Sequence, residues 1–264
     1  MSWLNHFVEG IFFNADSRSY WQPAHYGLTA QKFKQQSRTS NKTISGMLVE
    51  PMHGKRLVGT VIFCHPAQFN MSFSLPQVVF LAMRGFQVLT FDYAGSGAST
   101  GEISIDGLLE DAQTALDWLD SSPCADDNLL FFGEGVGADA ALQLACAHPE
   151  RVKAMILESV YADRKNWLEE QYGFGVGTIA ASLLKVAAPN PETLIPGIRA
   201  PMMLLRPERD TRVRKGQWSR ICQAAPESAE AYVVQGKSYL GIFADRQGLW
   251  HDKAEAFFRK SLQA

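Results

Sequence analysis

The side chains able to do covalent chemistry fall just after short apolar runs. Cys64 and His65 follow one run, in Phe63-Cys64-His65-Pro66-Ala67. A second run leads into Asp92-Tyr93-Ala94-Gly95-Ser96-Gly97-Ala98-Ser99-Thr100-Gly101, and a third into Gly133-Glu134-Gly135-Val136-Gly137-Ala138. Further on come Leu204-Leu205-Arg206-Pro207-Glu208-Arg209-Asp210-Thr211-Arg212-Val213 and then Gly236-Lys237-Ser238-Tyr239. Acyl transfer needs an attacking oxygen or sulfur, a base to take its proton, and N–H donors for the oxyanion. Ser96, Ser238 and Cys64 are the donors at hand.

The elements that position these groups alternate between apolar strands and amphipathic helices, which implies a mostly parallel sheet covered on both faces. Strands are predicted at 43–49, 58–64, 86–91, 129–132, 152–157, 202–205 and 231–234. The clearest helix carries Ile105, Leu108, Leu109, Ala112, Ala115, Leu116 and Leu119 on one stripe, with Ser104 as its N-cap. Asp106, Glu110, Asp111, Asp117 and Asp120 lie outside that stripe. Further helices are expected over 136–147, ending before His148-Pro149, and over 249–262. Residues 162–199 are too long for a tight connection and read as a small helical cap over the carboxyl ends of the strands.

With 264 residues, one domain spanning 1–264 is the default. A net charge of −2 argues against a nucleic-acid partner. No apolar run reaches the length of a membrane span. The N-terminus lacks a cationic region and a long apolar run, so it does not read as a secretory signal. Trp3, Leu4, Phe7 and Ile11 fall at helical spacing, and 1–28 reads as a helical lead-in packed on the domain. Cys64, Cys124, Cys146 and Cys222 show no metal-type spacing. Cys64 and Cys146 read as buried thiols, consistent with a reducing cytoplasm. Neither a cofactor nor a metal is expected.

In order and spacing, the segments after the third, fourth and fifth strands resemble the α/β-hydrolase superfamily. The nearest branch is that of serine hydrolases with an HG motif, a D-Y-R-G-Y-G-x-S-x-G loop and a G-x-S-x-G elbow. Pro66 departs from the first motif, and Ala94 and Ser96 from the second. The resemblance implies an eight-stranded, mostly parallel sheet flanked by helices. It also assigns positions: Gly135 stands where the nucleophile belongs, Asp210 at the acid, and Tyr239 at the histidine. Ala67 and Val136 fall at the oxyanion donors, and His65 at the residue that holds the oxyanion loop.

Two of these positions carry the wrong chemistry. Gly135 has no side chain, yet glycine suits the sharp strand-to-helix turn because positive φ costs it little. A tyrosine with pKa near ~10 is no base at neutral pH. Asp210 is read equally as the acid or as a surface partner of Arg206, Arg209 or Arg212. His251 lies too late in the chain for the family loop and reads as a packing residue. The side chains of Glu134 and Asp139 should point away from the attack position. The expectation is therefore a pseudo-hydrolase that binds a small acyl or apolar ligand, or a protein partner, beneath the cap. An unconventional ester hydrolase or acyltransferase using Ser96, Ser238 or Cys64 is the second reading. A non-catalytic interaction module is the third.

Overall fold

Runs of Val, Leu, Ile and Phe without a polar alternate can be buried only as strands covered on both faces, and they set the centre of this molecule. The computed structural model describes residues 8, 10, 12–66, 68–173, 175–244 and 248–263. Its ten strands are β1 (Asn14–Ala15), β2 (Ala30–Gln36), β3 (Thr43–Val49), β4 (Thr60–Cys64), β5 (Gln68–Phe69), β6 (Gln87–Phe91), β7 (Leu129–Glu134), β8 (Val152–Glu158), β9 (Met202–Arg209) and β10 (Glu230–Ser238).

Eight of them form one sheet in the order β10-β9-β8-β7-β4-β6-β3-β2. From β10 to β6 every pairing is parallel, while β3 on β6 and β2 on β3 are antiparallel. The sheet is thus mixed, with an antiparallel edge. Successive residues of β7 point to opposite layers. Leu129 and Phe131 join a core with the helices Leu108–Ser121 and Val136–Ala147. Leu130 and Phe132 join a second core with the helices Val79–Met83 and Leu249–Ser261.

Several expectations change. Strand β2 went unread because Phe33 is its one buried residue among Lys and Gln; it is an edge strand whose other side chains meet water. The helix expected from Ser104 begins at Leu108 instead. The Ser104 hydroxyl accepts from Gly107 N–H at 3.1 Å and so shapes the turn that precedes the helix. Asp111 and Asp117, expected outside its apolar stripe, are buried. Asp111 turns inward because its Oδ2 accepts from Ala94 N–H at 2.8 Å, anchoring the loop after β6. Cys146 is half-buried rather than buried, with Sγ against the Leu194 carbonyl.

The 1–28 lead-in is α-helical at Val8. Among its described residues it holds strand β1 and a 3-10 turn at Pro23–Tyr26. The Phe12 ring stacks on Trp167 at 4.7 Å. Trp3, Leu4, Phe7 and Ile11 lie outside the described residues. Over 162–199 the chain forms the helices Arg164–Tyr172, Val176–Leu183 and Pro191–Leu194, separated by loops.

One buried ion pair ties these helices to the domain. Arg164, 2% exposed, grips both oxygens of the fully buried Asp139 at 2.8 and 2.9 Å. Tyr161 Oη donates to the same carboxylate at 2.7 Å, and Arg164 also donates to the Ala188 and Pro189 carbonyls. Asp139 is in the first turn of the helix that follows Gly135, so the pair fixes the helix Arg164–Tyr172 against the elbow. A buried carboxylate with this many donors is satisfied and has no spare lone pair for attack.

Candidate functional site

Strand β7 ends at Glu134, and the helix Val136–Ala147 starts one residue later. Only a tight turn fits, and Gly135 makes it at φ 56° and ψ −121°. Small neighbours are required here for a measurable reason. A Cβ on Gly133 would lie 2.6 Å from Ala138 Cα, and one on Gly137 would collide with the Cys64 and His65 carbonyls. The helix can therefore lie directly on the ends of β4 and β7. Gly135 N–H donates to the Glu158 carbonyl at 2.9 Å, which pins the turn to β8.

The structure brings Gly135 and Tyr239 face to face. A Cβ built on Gly135 would overlap the Tyr239 hydroxyl, with Tyr239 Cζ at 3.5 Å and Pro66 Cβ at 3.6 Å. The phenol thus occupies the room in which a nucleophile side chain would begin. Burial pushes its pKa well above the ordinary tyrosine value, and the charge of Asp210 adds to the rise. It stays protonated across the range in which proteins work and cannot act as a base.

Asp210 sits at the end of β9, 7% exposed. Its Oδ1 accepts from the N–H groups of Arg212 and Val213, both at 2.8 Å, and Oδ2 is buried without a hydrogen-bond partner among the described residues. Burial raises its pKa, and the Val213 N–H, the Ser159 hydroxyl and the Arg212 N–H restrain the rise. The surface-pair reading of Asp210 gives way to this geometry. Arg206 Nε donates to the Val213 carbonyl at 2.8 Å and Arg209 Nη2 to the Gly236 carbonyl at 2.7 Å, while Arg212 approaches through its backbone.

His65 is 1% exposed, with Nδ1 2.7 Å from the Pro66 carbonyl and its ring against Tyr93 at 4.7 Å. Burial lowers its pKa to about 4, so the ring is neutral at pH 7 and braces the loop. Tyr93 Oη donates to the His65 carbonyl at 3.0 Å from the other side. Val136, the first residue of the elbow helix, lines the cavity at Gly135. Ala67, the other expected oxyanion donor, lies outside the described residues.

That cavity measures ≈ 50 Å³. Known small-molecule sites run to roughly 300–1,000 Å³, and one water takes about 30 Å³ of liquid. Phe12, Phe13, Trp167, Val213 and Tyr239 are among its lining residues. None of the alternative donors reaches it. Ser96 Oγ donates to the Phe69 carbonyl, Ser238 is exposed on β10, and burial raises the Cys64 thiol far above its usual range. His251 packs edge-on against Phe80 and Phe243 in the second core, as expected of a packing residue.

Two features escaped the sequence. Ser159 is fully buried at φ 55°, a strained position for a serine, and lines the cavity. A lone Ser after a strand gives no signal of this. Glu134 and Glu158 are register partners on β7 and β8, both without exposure. Neither oxygen of Glu134 has a hydrogen-bond partner among the described residues, and Glu158 accepts from Ile242 N–H at 3.4 Å. Burial raises both carboxyls, that of Glu158 to about 8; the charge of Glu158 adds to the rise at Glu134, and that of Asp210 to the rise at Glu158. The pair is therefore held in its protonated form at neutral pH.

Comparison with known proteins follows this geometry. The family model of the X-Pro dipeptidyl-peptidase (S15 family) matches residues 21–192. The chain is 25% identical over 221 residues to the protein bem46 of Schizosaccharomyces pombe, covering 79% of this chain and 74% of that one. It is 26% identical over 216 residues to the alpha/beta hydrolase domain-containing protein WAV2 of Arabidopsis thaliana, covering 77% and 68%. Among solved structures it is similar to a Pyrococcus furiosus esterase, with a TM-score of 0.74 at 17% identity over 94% of this chain and 99% of that one. The last likeness is one of fold.

Proposed function

The chain belongs to the X-Pro dipeptidyl-peptidase (S15) family and has the α/β-hydrolase fold, and we propose that it is a member that carries out no covalent catalysis at its elbow. One observation carries the reading. The Tyr239 hydroxyl stands where the side chain of residue 135 would start, so the nucleophile and histidine positions fill each other rather than forming a reactive pair. Among the described residues no imidazole lines the cavity, so neither the Tyr239 nor the Ser159 hydroxyl meets a base there, and Asp210 has none to orient. The small cavity supports the same conclusion from volume: an acyl substrate could enter only if Phe12, Phe13 or the cap moved.

The role left to the fold is binding. A protein partner suits this surface better than a small acyl ligand at the elbow, because the cap exposes Tyr172, Val176 and Ile179 while the cavity beneath it is closed. Exposed apolar clusters of this kind mark interaction surfaces. The test is incubation of the purified protein with a fluorophosphonate probe, together with p-nitrophenyl acetate and butyrate hydrolysis from pH 5 to 9. The expected result is no adduct in the mass spectrum and no turnover above buffer. One stoichiometric adduct, or ester hydrolysis abolished by Ser159→Ala, would overturn the proposal.

A further inference from the structure

A larger cavity lies on the other side of the lead-in, sharing no lining residue with the closed one. It measures ≈ 450 Å³, within the size range of small-molecule sites. Its back wall is the antiparallel edge of the sheet, where Lys32 pairs with Met47 and Lys34 with Ser45 across β2 and β3. Lys32 and Lys34 are two residues apart on one strand, so both point to the same face, roughly 7 Å apart. Phe33 between them points the other way and stacks on Trp118 at 4.2 Å, which holds the strand and hence the spacing of the two ammonium groups. Arg18, from the lead-in, closes a third side.

The charge balance in this cavity runs against that of the whole chain, which is −2. Arg18, Lys32 and Lys34 have no ion-pair partner among the described residues, and Lys32 reaches only Gln22 Oε1, at 3.3 Å. The one carboxylate in the lining, Asp92, is 3% exposed and turned away from the opening. Its oxygens accept from Met71 N–H at 2.8 Å and Ala98 N–H at 3.2 Å. A Cβ on Gly97 would strike that carboxylate, so Gly97 is what permits it to be tucked into the loop. Between the cations the floor is apolar, with Met47 and Met71 nearly buried.

From this placement we propose a second binding site on the chain, between β2 and the lead-in, for a small organic anion with an apolar body. The anionic head, a carboxylate, sulfonate or phosphate, sits between Lys32, Lys34 and Arg18, and the apolar body lies on Met47 and Met71. Three cations on a rigid strand and an adjoining segment suit one compact negative group. Methionine floors adapt to varied apolar shapes. The site is independent of the elbow, and its success or failure says nothing about catalysis there.

The test is a fluorescence titration of the full chain with 8-anilinonaphthalene-1-sulfonate, an aromatic sulfonate that lights up in apolar surroundings. Native protein is expected to bind it with saturable stoichiometry near one, weakening as salt rises, and to release it on addition of octanoate or phenyl phosphate. The K32E/K34E double variant, changed at two exposed side chains, should weaken binding at least tenfold with an unchanged melting temperature. The K32R/K34R variant should retain it. The proposal is overturned if K32E/K34E binds as tightly as the native chain, or if uncharged N-phenyl-1-naphthylamine binds equally well and is insensitive to the same change.

Discussion

Adding a single methyl group at Gly135 tests the central contact of this structure. The Gly135→Ala variant faces two costs. Its backbone at φ 56° and ψ −121° is a conformation L side chains adopt only under strain of ~1–3 kcal/mol. Its Cβ also overlaps the Tyr239 hydroxyl, and overpacking of this kind costs a further ~1–3 kcal/mol. Together they predict a loss of about 2–6 kcal/mol, which in a chain of this size lowers the melting temperature by roughly 5–20 °C. The second variant separates the two. Tyr239→Phe removes only the hydroxyl, and the next atom, Cζ, is at an ordinary 3.5 Å from the added carbon. Gly135→Ala should therefore be less harmful in the Tyr239→Phe background, with a coupling of about 1–2 kcal/mol in a double-mutant cycle read by urea unfolding. If Gly135→Ala lies within about 0.5 kcal/mol of the native chain, or if Tyr239→Phe returns none of the loss, the reasoning is wrong.

Four further outcomes are expected. Stability should fall as pH rises from about 5 to 8, because Glu158, with a pKa near 8, and Glu134 hold protons in the folded state that ordinary glutamates release near ~4.3 on unfolding. Glu134→Gln should flatten that slope in melts taken across the range, and an unaltered slope would remove the pair as its source. Asp139→Asn should cost about 3–5 kcal/mol in denaturant unfolding, since it leaves Arg164 buried without its carboxylate. The Cys64 thiol should resist Ellman's reagent until the protein is unfolded, while the half-buried Cys124, Cys146 and Cys222 react before it. Gly135→Ser combined with Tyr239→His should hydrolyse p-nitrophenyl acetate at least about tenfold above the native chain, because Asp210 retains an unpartnered oxygen for an imidazole. Adding Asp210→Asn should remove that gain.

Much of the scaffold was legible because burial dictates composition. The runs at β4, β7 and β8 are largely apolar, and the helix Val136–Ala147 appears with the bounds its small residues imply. Strand β2 was illegible for the opposite reason: an edge strand facing water can be written in lysine and glutamine. In the lead-in, the contacts of Phe12 with Trp167 and of Tyr20 with Phe73 join residues too far apart in the chain for spacing to show. At the site, the two substitutions at Gly135 and Tyr239 could be read from order and spacing. Their contact could not, since it joins residues far apart in the chain. The partner of Asp139 was hidden likewise, in a basic residue on the far side of β8. Ser159 and the Glu134–Glu158 pair became visible only when register placed adjacent strand ends together.

The overlap at the elbow has a corollary. Suppose a serine at position 135 and a histidine at position 239 were to arrive by successive single substitutions. A serine arriving first at position 135 would be jammed against the phenol, and the molecule would melt early. A histidine arriving first at position 239 would face bare backbone, with no proton to accept and nothing to gain. Either order crosses a valley, so the contact between residues 135 and 239 holds both in place: neither can change alone without a cost in stability or a change that brings nothing.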